Sequence, residues 1–430
     1  MYSLTVSRSL RLLSTTFLAA IGLATSLPAM SAQIEEIIVT ARATEESVRN
    51  IPVAITAVGQ ERMDTFGLKG FLDLEAITPQ LSIGRGGSGS GVAIGIRGIA
   101  SATTSIGIES SVSVVIDGVY MPQARAINEG LMDVRQVAIM KGPQSLYFGK
   151  NSTAGVISVM TNNPGEEFEA NVRVSNEFNS DDLTLEGVIS IPVNEKLGLR
   201  LAVQTSKMDK GWIKNNADPN GDTYTTTDAY AVFNPGLGLP VQNSFDNPAA
   251  AGLWWPAEET THIRGTVAGD LTDRFSYNIK GSYARFEQTA SSGGGELFDC
   301  PTLNGVAHRA VPVDPQPAGR QTTLFEPIAL PTVDCVFDGA RGINDVPPGV
   351  AATNDLMDMF GNGDLGEKFT SVNFTATFDY AFDTVDVQTI FNYQDATERW
   401  VSDFDGGGVT SIIAAERNTF DQFAIESRAV

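Results

Sequence analysis

Residues 197–204 read Leu-Gly-Leu-Arg-Leu-Ala-Val-Gln, with an apolar side chain at every odd-numbered position. Successive side chains of a strand point to opposite faces, so this period of two predicts a strand with one apolar face and one more polar face. Similar runs recur near 172–175, 183–191, 260–271, 275–287, 369–380, 384–396 and 420–430. Together the runs predict about eight strands, most of them close to the roughly ten residues that cross a bilayer at a tilt.

The connections between these runs alternate in length. The link at 271–275 is short, whereas residues 288–366 separate the next two runs. Transmembrane barrels have short turns at one end and long loops at the other, while a soluble β-sandwich usually has shorter strands and more equal loops. The pattern therefore favours an antiparallel transmembrane β-barrel over a sandwich.

Residues 51–164 have a different pattern, in which short strands alternate with short helical stretches. Val92, Ile94 and Ile96 alternate along one strand, and Asp117-Gly118 marks a hairpin turn. Helical stretches end near Gly67 and at Pro79. This segment is therefore predicted to form a small α+β domain.

The N-terminus predicts export. Arg8 and Arg11 precede an apolar run at 12–23, and small residues around 28–32 form a cleavage site after Ala32 or one residue earlier. Residues 1–32 are therefore predicted to be a signal peptide.

Export also bears on Cys300 and Cys335, the only cysteines of the chain. We expect them to form a disulfide, because an oxidising compartment preserves such a bond. The alternative, a metal site, would need more ligands than the two histidines of the chain supply.

Charge and motifs narrow the function. The formal net charge of −22 argues against a nucleic-acid partner, whose phosphates require a basic face. Residues 84–89 match the dinucleotide motif G-x-G-x-x-G, but a strand pattern follows them instead of a helix. No catalytic motif stands out, so neither a cofactor nor an enzymatic activity is expected, although an exported β-rich enzyme such as a glycan hydrolase stays open.

Four segments resemble the TonB-dependent receptors of Gram-negative outer membranes. Glu36-Ile37-Ile38-Val39-Thr40-Ala41 is similar to the TonB box, and residues 51–56 are similar to the first strand of the plug domain. Ile96-Arg97-Gly98 and residues 115–120 resemble the centre of the plug, and residues 141–155 resemble its last signature. The order and spacing of the segments make the resemblance specific.

The resemblance implies a domain organisation. Residues 33–50 would hold the TonB box and a linker, 51–164 the plug domain, and 165–430 the first part of the barrel. Plugged transporters of this family have about 22 strands, and a plug does not fit inside eight. The sequence is therefore expected to be the N-terminal part of an outer-membrane receptor, surrounded by outer-membrane lipid.

The resemblance also implies roles for individual residues. The box would add as a strand to the sheet edge of a TonB-type periplasmic protein; the alternative is an N-terminal tail without function. Plug cations at Arg97 and Lys141 would lock the plug, with Glu426 as the acidic partner of Arg97 on the barrel, unless Arg97 lies on a solvated strand edge. Arg85, Gly86, Gly87 and Ser88 would face the ligand, unless they form a plain flexible loop.

The implied function is energy-coupled uptake of a scarce extracellular ligand. A ferric siderophore is the leading expectation, and cobalamin, glycans and aromatic compounds stay open. The alternative function is a passive outer-membrane channel or a secreted β-rich binding protein without energy coupling.

Overall fold

The structure is a computed structural model that describes residues 38–41, 44–47, 53–85, 92–101, 109–215, 224–226, 243–245, 254–289, 307–312, 323–328, 340–341, 345–346, 351–352, 355–403 and 413–429. The chain divides into two compact units, Met1–Ile38 and Val39–Val430. Of the first unit, the structure describes Ile38 alone. None of the helices in the described ranges is long and apolar enough to cross a membrane.

Two short strands precede the first domain. They are β1 (Ile38–Ala41) and β2 (Thr44–Ser47), and they form a two-stranded sheet. β1 therefore contains Ile38, Val39, Thr40 and Ala41 of the predicted box, while Glu36 and Ile37 lie outside the described residues.

The N-terminal domain, residues 53–164, mixes short strands and short helices. Its elements are β3 (Ala54–Gly59), α1 (Gln60–Phe66), α2 (Leu74–Ile77), β4 (Leu81–Arg85), β5 (Val92–Ile96), β6 (Ile99–Ala100), β7 (Val112–Ile116), β8 (Val119–Met121), a 3₁₀ helix (Ala124–Glu129), β9 (Val134–Lys141), α3 (Ser145–Phe148) and β10 (Gly155–Thr161). One sheet has the order β3-β9-β10-β7-β8, and a second has the order β4-β5-β6.

The core of this domain lies between the sheets and the helices. Its largest buried side chains include Phe71, Leu74, Ile94, Ile139 and Ile157. β-branched residues pack well on a pleated surface, which explains why the Val- and Ile-rich runs form these strands. The domain thus has a hydrophobic core of its own.

The rest of the described chain is almost entirely β-structure. The strands are β11 (Glu169–Glu177), β12 (Asp182–Asn194), β13 (Leu197–Met208), β14 (Ile213–Asn215), β15 (Tyr224–Thr226), β16 (Asn243–Phe245), β17 (Trp254–Trp255), β18 (Glu258–Thr272), β19 (Phe275–Thr289), β20 (Ala307–Pro312), β21 (Thr323–Ile328), β22 (Ala340–Arg341), β23 (Gly366–Ala381), β24 (Asp386–Asp403) and β25 (Ile413–Ala429). The short strands pair in small sheets, β14 with β17 and β22, β15 with β16, and β20 with β21.

Eight long strands form one sheet in the order β11-β12-β13-β18-β19-β23-β24-β25, which we call the wall. Every neighbouring pair is antiparallel. Each of the eight alternating runs of the sequence overlaps one of these strands. Short turns at 195–196, 273–274 and 382–385 lie at one end of the wall, and the long connections 209–257 and 290–365 lie at the other.

The two faces of the wall have opposite character. On the outer face, large apolar side chains are exposed, with Val172 at 75 % and Leu201 at 45 %. On the inner face, Thr184, Gln204 and Asn392 are buried. A soluble sheet buries its apolar face, so this reversed arrangement is typical of a wall that meets lipid on its outer side.

Aromatic rings gather on the outer face at the end with the short turns. The rings of Phe275 and Phe378 stack with centroids 6.0 Å apart, and Phe378 meets Phe391 edge-on at 5.9 Å. The ring centroids of Tyr380 and Phe382 lie 4.4 Å apart beside this group. Aromatic girdles of this kind mark the membrane interface in transmembrane barrels.

Candidate functional site

The N-terminal domain packs against the inner face of the wall, and buried charges concentrate where the two meet. Arg200 of β13 holds Asp133 through two hydrogen bonds, Nε to Oδ2 at 2.8 Å and Nη2 to Oδ1 at 2.7 Å. Its Nη1 donates to Glu169 at 2.8 Å. Arg200 and Asp133 are each 6 % exposed. Such bidentate pairs combine geometric specificity with a strong charge-assisted bond.

A second buried pair lies nearby. Nζ of Lys280, on β19, is 3.1 Å from Oδ2 of Asp117 and donates to Oγ1 of Thr161 at 2.6 Å. The backbone N and Oγ1 of Thr161 donate to Asp117 at 2.9 and 2.7 Å. Burial raises the pKa of Asp117, but the charges of Lys280 and Arg264 and the hydrogen bonds from Thr161 outweigh it, so the pKa is lowered overall.

Both aspartates are positioned by tight turns. Asp117 has a φ of +47° and Asp133 a φ of +50°, a left-handed conformation that Asp tolerates better than most residues. Asp117 and Gly118, with a φ of +84°, form the two-residue turn between β7 and β8. The hairpin predicted at Asp117-Gly118 is thus present, and it presents Asp117 to the wall.

The 3₁₀ helix supplies two more charged contacts. Arg125 forms an ion pair with Glu398 of β24, and both side chains are buried. Burial lowers the pKa of Arg125 to about 10. Oε1 of Glu129 accepts hydrogen bonds from Ser371 at 2.8 Å and Gln394 at 2.7 Å, and burial raises the pKa of Glu129.

The backbone of the domain also approaches the wall closely. A Cβ atom at Gly130, where φ is +70°, would lie 2.9 Å from Nε2 of His262, and one at Gly118 would lie 2.9 Å from Ile390. Nη1 of Arg264 donates to the carbonyl oxygen of Met132 at 2.8 Å. Both glycines have a positive φ, a conformation that other residues rarely adopt, so conformation favours glycine at Gly118 and Gly130.

Weaker ion pairs lie at the edge of the interface. Nζ of Lys69 is 2.7 Å from Asp182, and Nη1 of Arg173 is 2.6 Å from Asp64. Lys69, Arg173 and Asp64 each have more than a third of the side chain exposed. Exposed pairs contribute little to stability, so the buried pairs dominate the attachment.

The structure places the three predicted lock residues elsewhere. Arg97 lies in the turn between β5 and β6 with a φ of +55°, is exposed, and its Nε lies 3.4 Å from Oε1 of Gln80. Lys141 donates to the carbonyl oxygen of Pro79 at 2.8 Å, and Glu426 pairs with Arg428 at 2.6 Å. Among the described contacts, the expected Arg97–Glu426 pair is not formed. The sequence predicted a strand at Arg97, but the chain turns there, so the charge stays solvated.

Other predicted residues fall outside the described parts. Arg85 ends β4 and its side chain is not described, and Gly86, Gly87 and Ser88 follow in an undescribed segment. Cys300 and Cys335 also lie outside the described residues. The ligand-facing loop and the disulfide therefore stay predictions.

The buried ion pairs were not predicted from the sequence, although the alternation around Arg200 indicates one of the two partners. Arg200 lies between Leu199 and Leu201 in a strict alternation, which places its charge on the face opposite to the apolar one. A charge on the inner face predicts a buried partner. Asp133 could not be identified from spacing, because the contact spans 67 residues.

Comparison with known proteins identifies similar sequences and a similar fold. Residues 47–156 match the model of the TonB-dependent receptor plug domain. The chain is 22 % identical over 243 residues to the iron-regulated outer membrane virulence protein of Vibrio cholerae, covering 54 % of this chain and 37 % of that protein. It is 27 % identical over 139 residues to the pesticin receptor of Yersinia pestis, covering 32 % and 20 %.

A similar fold occurs among solved structures. A ferric enterobactin receptor from Pseudomonas aeruginosa superimposes with a TM-score of 0.52 at 12 % identity, covering 91 % of this chain and 47 % of that one. The chain thus spans less than half the length of these relatives. The predicted fold class, an α+β plug followed by antiparallel barrel strands, is confirmed.

Proposed function

The chain belongs to the TonB-dependent receptors, whose plug domain it carries at residues 47–156, and from that premise we propose that it serves energy-coupled uptake of a scarce ligand. The protein is an outer-membrane protein of a Gram-negative bacterium. The N-terminal domain is hereafter the plug. Energy would come from a TonB-type protein in the periplasm.

The observation that carries the proposal is the attachment of the plug to the polar inner face of the wall. The Arg200–Asp133 pair is buried and the Lys280–Asp117 pair is largely buried, so separating either one exposes an uncompensated charge until water enters. A plug held in this way blocks passage at rest. Passage therefore requires work on the plug, which distinguishes the proposed transporter from a passive channel.

The N-terminal segment is suited to deliver that work. β1 contains β-branched residues, and an extended segment of this kind adds to an exposed sheet edge through main-chain hydrogen bonds. An outer membrane has no nucleotide supply or ion gradient of its own. A mechanical link from a periplasmic partner supplies the energy in this proposal.

The surroundings of the proposed transporter follow from the wall. The exposed apolar side chains of the outer face would contact outer-membrane lipid.

The named relatives are receptors, and one further relative, from Vibrio vulnificus, is a vitamin B12 transporter that is 24 % identical over 198 residues. These names support transport over catalysis, and we assign no reaction to the chain.

A ferric siderophore is the ligand we propose first. The support is the naming of similar proteins as an iron-regulated outer membrane protein and a ferric enterobactin receptor. Cobalamin is the second candidate, on the strength of the vitamin B12 transporter.

The test is uptake by cells that produce the receptor from its whole reading frame with Ile38→Pro. Proline removes a main-chain donor from β1 and should abolish uptake of radiolabelled ferric siderophore while surface binding persists. Ile38→Val is the matched control, because it keeps the donor and the β-branched side chain.

Unchanged uptake in the proline variant would contradict energy coupling and leave a passive channel or a binding protein. Loss of both binding and uptake would point to misassembly, and the amount of receptor in isolated outer membranes separates that case.

A further inference from the structure

The wall carries a row of three cations near the end with the long connections. Lys368 of β23 lies directly opposite Arg399 of β24, and Arg399 lies directly opposite Arg417 of β25. We call these three residues the basic row. Like charges directly opposite each other destabilise a sheet, so an anion beside the row would offset this repulsion.

All three side chains of the basic row lie on the outer face of the wall. Glu367 and Glu398, the chain neighbours of two of them, are buried on the inner face, and successive side chains of a strand alternate between the faces. On β25, Gln422 donates to the plug and lies five positions from Arg417, which puts Arg417 on the opposite face. Arg417 is exposed and Arg399 is half-buried. The row is therefore accessible from outside the wall.

The described carboxylates leave most of this charge unpaired. Glu287 of β19 lies opposite Lys368 and forms ion pairs with Lys368 and with Arg285. Among the residues that the structure describes, the side chains of Arg399 and Arg417 have neither an ion pair nor a hydrogen bond. The outer-face positions around Arg399 are uncharged, namely Thr397 and Val401 on its own strand and Gly366, Thr370, Ala415 and Thr419 on the adjacent strands. Two guanidinium groups are thus available to an anion.

The height of the row places it in the headgroup layer of the membrane. Val387 lies opposite Tyr380, in the aromatic group at the end with the short turns. Arg399 is twelve positions farther along β24, which at about 3.3 Å per residue and a tilt of about 40° gives a rise of roughly 30 Å. The apolar band of a transmembrane barrel is about 25 Å tall, so Arg399 lies just beyond it. At this height the wall meets lipid headgroups.

Acidic residues on the same two strands lie at a different height. Asp395 and Asp421 are opposite each other and four positions closer to the short turns than the arginines. That spacing is about 13 Å along a strand, and Thr397 and Thr419 lie between the acidic and basic pairs. The threonine hydroxyls can donate hydrogen bonds to an anion held by the arginines.

We propose that the basic row binds the phosphate of an anionic lipid in the outer leaflet, since the long loops of bacterial barrels are extracellular. A guanidinium fork donates two parallel hydrogen bonds to a phosphate, and Arg399 and Arg417 present two forks side by side. The acyl chains of the lipid would lie along exposed apolar side chains of β23, Val372 and Phe374. The inference is separate from the proposed uptake and requires only the outer-membrane location.

The experiment measures binding of lipid A, an acylated disaccharide with two phosphates, to the purified full-length receptor in neutral detergent. Fully dephosphorylated lipid A with the same acyl chains is the comparison lipid. Native mass spectrometry counts the bound lipids and gives the ratio of the two affinities. The wild type should prefer the phosphorylated lipid by about tenfold or more, as expected for hydrogen bonds to a charged group. The preference should shrink as ammonium acetate is raised.

Charge variants locate the preference. The double variant Arg399→Gln/Arg417→Gln should lose most of it, and Arg399→Gln alone is the second variant should the double variant fail to assemble. Lys196→Gln/Arg274→Gln is the matched control, because it also removes two exposed cations, which pair with aspartates in the short turns. Excess inorganic phosphate distinguishes a lipid site, which should keep its lipid A, from a site for the free ion.

Equal binding of the two lipids by the wild type would overturn the proposal, and so would an unchanged preference in the folded arginine variants. A similar loss in the control variant would overturn it as well, because the effect would then be one of overall charge. Displacement of lipid A by inorganic phosphate would assign the arginines to a free anion instead. None of these results bears on whether uptake is energy-coupled.

Discussion

Individual charges fasten the plug to the wall. In the Arg200–Asp133 and Lys280–Asp117 pairs the wall supplies the base, and a left-handed turn of the plug supplies the aspartate. The sequence led us to expect the opposite polarity, plug cations meeting wall carboxylates, and the Arg125–Glu398 pair is of that kind. Both polarities therefore hold the plug.

Removing one member of a buried pair should loosen the plug. Arg200→Met leaves Asp133 buried without its cation, so we expect a loss of about 3–5 kcal/mol in plug stability. Limited proteolysis and thermal unfolding of the receptor in detergent measure it. Arg173→Met removes an exposed pair with Asp64 and should cost at most about 1 kcal/mol. Equal effects of the two substitutions would contradict the ranking.

Acid should weaken the attachment at Asp117. Its pKa in the folded protein is lowered, so its contribution is fully present above the unfolded value of about 3.9 and is lost as pH falls through the folded value. Plug unfolding followed from neutral to acid pH should show a loss that Asp117→Asn lacks. Glu129, whose pKa is raised by burial, contributes in the opposite sense, so the variant comparison is needed to isolate Asp117.

At the scale of strands, alternation alone predicted the wall well. Leu199, Leu201 and Val203 are exposed on one face as expected, and Arg200 and Gln204 are buried on the other. The alternation does not predict which turn of the plug contacts which strand of the wall, because these contacts depend on the register of the sheet and on the orientation of the plug. For the same reason, the contacts that Arg125 and Glu129 of the 3₁₀ helix make with the wall were not predicted.

Assembly of the wall should depend on the glycine at position 269 of β18. A Cβ atom at Gly269 of β18 would overlap the carbonyl oxygen of Lys196 in the adjacent short turn, and a backbone atom has little freedom to move. We expect Gly269→Ala to reduce the amount of folded receptor in outer membranes. Gly265→Ala, in the same strand with nothing within 4 Å, is the control. Normal levels of both variants, judged by heat-modifiable migration in gels, would contradict the prediction.

At the scale of the whole molecule, the plug and the wall differ in their relation to solvent. The plug has a buried core around Phe71 and Ile94, as a soluble domain has. The wall exposes its apolar side chains and buries its polar ones against the plug. Composition and alternation predicted this division, and they left the ligand open because the long connections carry no periodic signal.

The aromatic group around Phe275, Phe378 and Tyr380 occupies one end of the wall. Aromatic rings of this type favour the boundary between the acyl chains and the headgroups of the membrane. If the lipids were exchanged for ones with shorter or longer chains, that end would keep its depth. The difference in bilayer thickness would then be taken up by tilt or at the opposite end, where the wall continues into the long connections.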